Sequence, residues 1–514
     1  MPQHDLTDGA AARDRRTEPS PNELDPPSPT ATESTTAHRS DRVVAAEPPT
    51  PPPPTAGSIF QAPYTAMTWG IVLSVSLVAF ESMGVATVLP EIAGKLGGLN
   101  AYGWGLSTLM LANLIGTVAA GRAADRRGPA RPLGTGLVVF AVGCALTGAA
   151  TNWPVFLVGR FVQGLGVGAV MALAYTAISL VYPERLRARM FALVSGGWTV
   201  PSLVGPAIAA LVAEHVHWRG VFVLLLPLIV VAWMMAVPPL ARFSRTSPVP
   251  VADGARVPWW RGPVALGVLV SASTAVLLVG LERTDPALLV PLVLVGAVGA
   301  VVGLRSVMPA GTLTVRRGVP TGVVLRFLLC GAYFGSEAFL PLGLTRLRGL
   351  SATEAGLGLS AGAITWVVGA AWQGRADSRW SGRSRAVPIS VGFAVLAVGI
   401  AVIAAGILVD AVPPLVAVVG WAIGGAGMGV AFNAATTDAM EQAPAVRQGE
   451  ASGSMQLAQT LATAGLSGVG GAAIALAHAH GGTTSTALAV TFALTAALAV
   501  TGVATAYRIR PRAQ

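Results

Sequence analysis

Long apolar stretches separated by short polar segments repeat along most of the chain. A helix that crosses a bilayer needs about 20 mainly apolar residues. Fourteen stretches have this length, at approximately 67–90, 104–121, 133–151, 154–181, 189–213, 219–240, 263–281, 286–304, 320–344, 354–374, 386–409, 413–435, 451–478 and 485–507. The pattern therefore predicts an all-α, polytopic membrane protein with fourteen transmembrane helices.

The composition supports this prediction, since 53% of the 514 residues are hydrophobic and only 11% are charged. Soluble domains carry about 25% charged residues, so most of the surface is expected to face lipid. The 61 glycines show no three-residue period, which excludes a collagen-like chain. The two cysteines, Cys144 and Cys330, lie within apolar stretches and exclude a disulfide scaffold.

Basic residues are unevenly divided between alternate loops. Of the 34 lysines and arginines, 22 lie in the even-numbered loops and the C-terminal tail, against 5 in the odd-numbered loops. The positive-inside rule then predicts a multi-pass protein of the plasma membrane with both termini in the cytoplasm. The net charge of +10 arises from scattered clusters rather than one basic face, so no nucleic-acid partner is expected.

The first 62 residues differ from the rest of the chain. They contain twelve prolines, nine acids and five arginines, which predicts a disordered cytoplasmic tail; a docking tail for a partner is the alternative. The remaining predicted regions are a six-helix half at 63–240, a linker with two extra helices at 241–318, a second six-helix half at 319–507, and a short cytoplasmic tail at 508–514.

A glycine, aspartate and arginine pattern follows predicted helix 2, and a shorter copy follows predicted helix 10. The first copy holds Gly121, Arg122, Asp125, Arg126, Arg127, Gly128 and Arg131, and the second holds Gly374, Arg375 and Asp377. Helices 2 and 10 are the second members of the first six and the last six helices. The repeat therefore predicts two related six-helix halves with an inserted hairpin, an architecture common among secondary transporters.

The first copy resembles the signature loop of the major facilitator superfamily. Three more matches follow: helix 4 carries Arg160, Gln163, Gly164, Gly166 and Gly168, helix 5 carries Gly205 and Pro206, and helix 6 opens with Trp218-Arg219-Gly220-Val221-Phe222. Ala209 and Ala210 stand where the helix 5 motif often has glycine. The resemblance covers 63–507 and is to the fourteen-span drug:proton antiporters of actinobacteria. It implies that family's fold and proton-coupled export.

Two interpretations apply to the signature loop. Its glycines are expected to permit a tight turn or close approach, and Asp125 to pair with arginines in a latch that breaks when the halves rock. In the alternative, the arginines only set the membrane topology. The glycine runs of helix 4 and helix 12 (Gly424, Gly425, Gly427 and Gly429) are expected to serve close helix packing.

Four ionisable residues lie well inside predicted helices: Glu81, Arg160, Arg326 and Glu337. Each needs a partner, a cavity or a proton, because a charge at the bilayer centre costs about 2.5–3.5 kcal/mol or more. Glu81 and Arg160 lie roughly 13 Å and 9 Å from the same membrane face, so we expect them to meet. Glu337 lies at comparable depth, so Glu81 and Glu337 are expected to face a cavity shared by the two halves. Arg326 is expected to snorkel to the cytoplasmic surface.

Glu81 is predicted to be the main proton-coupling carboxylate, assisted by Arg160, with Glu337 as a second proton site. A permanent ion pair that joins helices 1 and 4 is the alternative. No cofactor is predicted, and no metal, since His215, His217, His478 and His480 lack carboxylate or cysteine companions. Substrate-binding residues are not assigned. A pocket for flat apolar cations is one interpretation of Trp198, Trp366, Trp372 and Trp421, but packing or lipid contact is the more common role.

The leading functional prediction is proton-coupled antiport, with efflux of small hydrophobic or cationic compounds by alternating access. Export of a metabolite, sugar, siderophore or lipid on the same fold is the alternative. An enzyme is not expected, since no catalytic motif occurs in a plausible context. A nucleotide-driven pump is not expected either, because the sequence has no P-loop. The expected partners are a small-molecule substrate, protons and the bilayer, and the expected state is a monomer.

Overall fold

The computed structural model describes residues 59–62, 64–246, 262–379, 384–444 and 448–509, and this part of the chain is helical without strands. Fourteen long helices follow one another: α1 Thr65–Leu96, α2 Trp104–Arg127, α3 Ala130–Gly148, α4 Trp153–Val181, α5 Glu184–His215, α6 Arg219–Thr246, α7 Pro263–Leu281, α8 Pro286–Val307, α9 Val319–Glu337, α10 Ala352–Arg379, α11 Ala386–Leu408, α12 Leu415–Gln442, α13 Gln448–Ala479 and α14 Thr484–Ala506. All fourteen contain stretches long and apolar enough to cross a membrane, which confirms the predicted number.

Several helices continue beyond the apolar stretch that predicted them. Helix α2 was predicted to end near residue 121 but runs to Arg127, and Gly128 stops it with a left-handed φ of 72°. The reason is that helical hydrogen bonds persist into the polar region until a capping residue ends them. Most of the predicted tail at 1–62 lies outside the described residues, as do residues 247–261 of the predicted linker at 241–318.

The ninth span is broken, although the apolar pattern predicts one continuous helix. Helix α9 ends at Glu337, and a short turn at Leu340–Leu342 and a π-helical segment at Gly343–Leu347 complete the crossing. Pro341 lies in the short turn, and its ring and missing amide hydrogen oppose a regular helix there.

The same helix pairs pack in both halves. In the first half, α4 packs against α2 and α3, while α1 packs against α5 and α6. In the second half, α12 packs against α10 and α11, and α9 packs against α13 and α14. These pairs correspond when eight is added to each helix number, so the chain forms two related six-helix halves. The inserted α7–α8 hairpin packs through α7 against α2.

The halves meet along two helix pairs, α2 with α13 and α5 with α10. The end of the bundle where residues 97–103 join α1 to α2 is called the odd-loop end. The opposite end, where residues 128–129 join α2 to α3, is called the even-loop end. These two ends differ in how closely the halves approach.

Candidate functional site

Glu81 and Arg160 form an ion pair inside the first half. Arg160 on α4 donates through Nη1 to Oε1 of Glu81 on α1. Both side chains are buried, with 0% of Glu81 and 1% of Arg160 exposed. The two residues are 79 positions apart in the sequence, and they meet as the depth estimated from sequence predicted. In this structure Glu81 is enclosed by protein and does not face a cavity, contrary to the expectation from sequence.

Arg160 connects this pair to three other places in the first half. Its Nε donates to the carbonyl of Gly105 in the first turn of α2, at 2.9 Å. Its Nη1 donates to Oε1 of Gln163 at 3.2 Å, and Nε2 of Gln163 in turn donates to Sγ of Cys144 on α3. The motif residue Gln163 thus orients the arginine. Oε2 of Glu81 has no hydrogen-bond partner within the described chain.

The glycines of the α4 motif are required by packing. A Cβ added to Gly164 would lie 2.2 Å from the carbonyl oxygen of Leu109, and one added to Gly168 would lie 2.1 Å from that of Asn113. Any side chain at these positions would force α4 away from α2. The close crossing places Arg160 within reach of Gly105.

The helix 5 motif lies where α1, α5 and α10 converge. A Cβ added to Gly205 would contact the Phe80 ring at 3.4 Å, so α5 packs closely on α1 next to Glu81. The carbonyl oxygen of Pro206 faces the other half, 2.8 Å from the Cβ that Gly356 would carry. The motif therefore joins the helix of the ion pair to the second half.

Glu337 lies at the end of α9 and is 8% exposed. No side chain of the described residues forms a salt bridge with it. Its neighbour Ala338 accepts a hydrogen bond of 3.1 Å from the hydroxyl of Tyr102, two residues before α2 begins. Glu337 thus lies next to the contact made by Tyr102, and the Glu81–Arg160 pair lies next to the contact made by Gly105. Both contacts involve the N-terminal end of α2.

Arg326 does not snorkel, so that prediction is wrong. Arg326 is 6% exposed, and its Nη2 donates to Oγ1 of Thr436 on α12. The guanidinium lies over the Phe432 ring, with 3.6 Å between Cζ and the ring centroid. Nη1 of Arg326 is 3.5 Å from Oε1 of Gln459 on α13. Neighbouring helices enclose the side chain, which the position of Arg326 along α9 does not reveal.

The signature pattern lies mostly in helix rather than in a loop. Gly128 adopts the left-handed conformation that the turn needs. Gly121 in α2 and Gly374 in α10 have neither a positive φ nor a close neighbour, so the reason predicted for these two glycines is wrong. Arg122 is half-buried, Arg126, Arg127 and Arg131 are exposed, and the side chain of Asp125 lies outside the described atoms.

The second copy of the pattern forms a charge cluster inside the second half. Arg385, just before α11, donates through Nε and Nη2 to the two carboxylate oxygens of Asp377, at 2.7 Å each. It also donates to Glu441 on α12, at 2.6 Å and 2.8 Å. These two carboxylates raise the pKa of Arg385 above its usual value. Arg375 donates to the carbonyl of Ala371 in its own helix.

The halves are in close contact at the odd-loop end. A Cβ added to Gly103 would lie 2.2 Å from the carbonyl oxygen of Ser467 on α13. Close by, Ser107 donates to the carbonyl of Ala464 at 2.8 Å. On the other helix pair, the backbone amide of Thr353 donates to Glu214 at 2.8 Å.

The same helix faces are separated at the even-loop end. Gly121 lies eighteen residues after Gly103 in α2, and Gly453 lies eighteen residues before Gly471 in α13. Eighteen residues make five helical turns, or about 27 Å, so each pair occupies one face. A Cβ added to Gly121 or Gly453 meets no described atom within 4 Å, whereas Gly103 and Gly471 contact each other. The space between the halves therefore opens toward the even-loop end.

The aromatic candidates divide by burial. Trp421 is 1% exposed and donates to the carbonyl of Leu359, which gives it a packing role. Trp366 is half-buried beside Phe432, with 5.5 Å between the ring centroids, and Trp372 is exposed. No group of three or more metal-ligating side chains occurs in the described ranges.

Fourteen membrane-spanning helices in two related halves, with buried charges beside the contacts between them, define a multi-pass transporter. Residues 71–467 match the family model described as Major Facilitator Superfamily. The chain therefore belongs to the Major Facilitator Superfamily.

Curated relatives have modest sequence identity. An uncharacterized MFS-type transporter of Mycobacterium tuberculosis is 28% identical over 385 residues, which cover 72% of this chain and 53% of that protein. The chain thus spans about half the length of that relative. A probable multidrug-efflux transporter of the same species is 27% identical over 453 residues, covering 85% and 93%. Multidrug resistance protein 3 of Bacillus subtilis is 25% identical over 317 residues, covering 60% of each chain.

Solved structures support the fold. A POT family peptide transporter superposes with a TM-score of 0.66 at 15% identity, covering 87% of this chain and 97% of that one. A D-xylose–proton symporter gives 0.61 at 15% identity, covering 87% and 98%. At this identity the likeness extends to the fold alone.

Proposed function

We propose that the protein is a proton-coupled antiporter that exports small hydrophobic compounds by alternating access, with Glu81 as the proton carrier. The observation that carries this proposal is the bond from Arg160 to Gly105. Through it, a buried carboxylate is connected to the first turn of α2, the segment that holds the halves together. Relatives named as multidrug transporters support the direction of export.

The coupling follows from linkage between charge and conformation. Burial favours the protonated form of a carboxyl, and a paired arginine favours the ionised form. In the closed odd-loop state Glu81 is enclosed and paired with Arg160. Opening the odd-loop end would move Gly105, separate Arg160 from Glu81 and expose the carboxylate to exchange its proton on that side. Oε2 of Glu81 has no partner and is the oxygen available to accept the proton.

The direction of transport depends on which side the two ends face. We infer that the even loops and both termini are cytoplasmic, from the 22 basic residues on that side against 5 on the other. A space open at the even-loop end then takes up cargo from the cell. Protons enter from outside when the odd-loop end opens. The plasma membrane and a monomeric state belong to this proposal.

Two further predictions remain parts of this proposal. Glu337 acts as a second proton site, since it is nearly buried beside Ala338, where Tyr102 joins the halves. Asp125 and Asp377 act in latches at the even-loop end, and the Asp377–Arg385–Glu441 cluster supports the second of these. The boundaries of the halves at 240 and 319 also stay predictions.

Transport in proteoliposomes with an imposed pH gradient tests the proposal. Glu81→Gln is expected to lose accumulation driven by the gradient while keeping downhill exchange, because the amide accepts from Arg160 but does not release a proton. Glu81→Asp keeps an ionisable group and is expected to retain part of the driven transport. Unchanged gradient-driven transport by Glu81→Gln would overturn the role of Glu81, and loss of downhill exchange in that variant would indicate misfolding.

A further inference from the structure

We propose that the second half contains a subsite for aromatic compounds that carry an acidic group, in which Arg326 binds the acid and Phe432 and Trp366 hold the rings. This inference rests on the proposed transport function and names the class of its cargo. It replaces the expectation of cationic compounds, for a reason of charge.

Arg326 is a buried cation without an acidic partner in the described chain. Removing a charge from water is costly unless a counter-charge or hydrogen bonds replace the solvent. Arg160 in the first half meets this need with Glu81. Glu337 shares a face of α9 with Arg326, but lies eleven residues away, about 16 Å along the helix.

The guanidinium group retains unused binding capacity. It has five N–H donors in a planar fork, which suits a carboxylate or another acidic group with two oxygens. Its hydrogen bonds run to Thr436, to the thiol of Cys330 and, at 3.5 Å, to Gln459, while Phe432 covers one face. An acidic ligand would supply the missing negative charge at this position.

A continuous aromatic surface begins at Arg326. The Phe432 ring lies 5.5 Å from Trp366, and Trp366 lies 6.0 Å from Phe334, measured between centroids. All three rings are half-buried and keep part of their surface open. Phe334 belongs to α9, the most enclosed of the fourteen spans. Such a surface fits flat rings.

Electrostatics decides the charge of the ligand. The Glu81–Arg160 pair is neutral as a unit, so it does not offset the positive charge of Arg326. A cationic compound stacked on Phe432 and Trp366 would be repelled by Arg326, and an anionic one would be attracted. The alternative is that Arg326 only clamps α9 to α12 and α13 through Thr436 and Gln459.

Calorimetric binding to the purified full-length protein in detergent tests the subsite. The probes are 2-naphthoate, 2-naphthalenemethanol and 2-naphthylmethylammonium, which share the rings and differ in charge. We expect naphthoate to bind at least tenfold more tightly than the ammonium compound. Arg326→Gln should weaken naphthoate at least tenfold and the neutral alcohol less than threefold, and Arg326→Lys should restore part of the preference.

Two control variants separate the contributions. Arg305→Gln removes an exposed arginine of α8 and should leave all three affinities unchanged. Phe432→Leu should weaken all three compounds to a similar extent. The subsite is overturned if wild-type protein binds none of the probes, if Arg326→Gln keeps the preference for naphthoate, or if that variant loses the neutral alcohol as well, which is the result of a structural clamp. Binding needs no pH gradient, so failure of the subsite and failure of proton coupling give different results.

Discussion

The two halves share a helix arrangement but use their buried charges differently. In the first half, Glu81 and Arg160 come from two helices and meet in an enclosed pair. In the second half, Glu337 and Arg326 lie on one helix, α9, about 16 Å apart along its axis. The same two residue types are thus joined in one half and separated in the other.

This difference indicates a division of labour. In the joined pair, Arg160 also binds Gly105 at the start of α2, so the proposed proton on Glu81 would alter the contact between the halves. The separation in the second half leaves Arg326 without an acidic partner in the described chain, which would let it attract an acidic group. It leaves Glu337 next to Ala338. Function on a repeated fold depends on the local sites, and here the repeat preserved helix packing rather than charge placement.

The largest expected effect compares the two acids. Glu81→Gln leaves Arg160 buried without a counter-charge and should destabilise the protein by about 3–5 kcal/mol. Glu337→Gln removes an acid that has no salt bridge in the described chain and should change stability by about 1 kcal/mol or less. Thermal unfolding in detergent measures both. Adding Arg160→Met to Glu81→Gln should recover most of the loss, and equal losses in the two single variants would refute the comparison.

The next effect compares two glycines on one face of α2. Gly103→Ala puts a Cβ 2.2 Å from the Ser467 carbonyl oxygen and should destabilise the closed odd-loop end by about 1–3 kcal/mol. Gly121→Ala has open space and should stabilise α2 by about 0.5–1 kcal/mol. Labelling of Ser467→Cys by an impermeant maleimide should accelerate only in the Gly103 variant. The same acceleration in both would contradict the asymmetry between the ends.

Tyr102→Phe is expected to have a smaller effect on the same contact. It removes the donor to Ala338 and should weaken the closed odd-loop end by about 1 kcal/mol, which is a shift of roughly fivefold. The labelling rate of Ser467→Cys should rise by a similar factor. An unchanged rate would show that this bond does not hold the halves together.

The smallest effect concerns the charge cluster of the second half. Asp377→Asn should reduce stability by roughly 1 kcal/mol or less, because Asp377 is 30% exposed and Glu441 still pairs with Arg385. Asp410, which is fully exposed beside Arg348, supplies the control, and Asp410→Asn should leave the melting temperature unchanged. A larger loss from the control variant would contradict this order.

Much of the fold was predictable because lipid imposes simple rules. Apolar length determined the fourteen helices, and the order of motifs determined the two halves. Depth along the helix also predicted that Glu81 meets Arg160. Sequence reasoning missed Gly105, because it acts through a backbone carbonyl that any residue carries. It also missed Tyr102, because the partner of its hydroxyl is a backbone carbonyl of the other half. It also missed Arg385, counted only as a topology signal, although it follows Asp377 by eight residues.

The sequence by itself determined that the chain crosses a membrane fourteen times and which residues are too polar for lipid without a reason. The physical basis is the cost of a charge in hydrocarbon, which depends on local composition alone. Depth along the helices predicted the Glu81–Arg160 pair, but only the tertiary structure decided that the pair forms and that Arg326 has no acidic partner in the described chain. Arg160 finds Glu81 because α4 crosses close to α1 and α2, while Arg326 is enclosed by α12 and α13 without an acid. Pairing depends on crossings between helices that are distant in sequence, 79 positions in the case of Glu81 and Arg160, and these crossings arise from packing of the whole bundle.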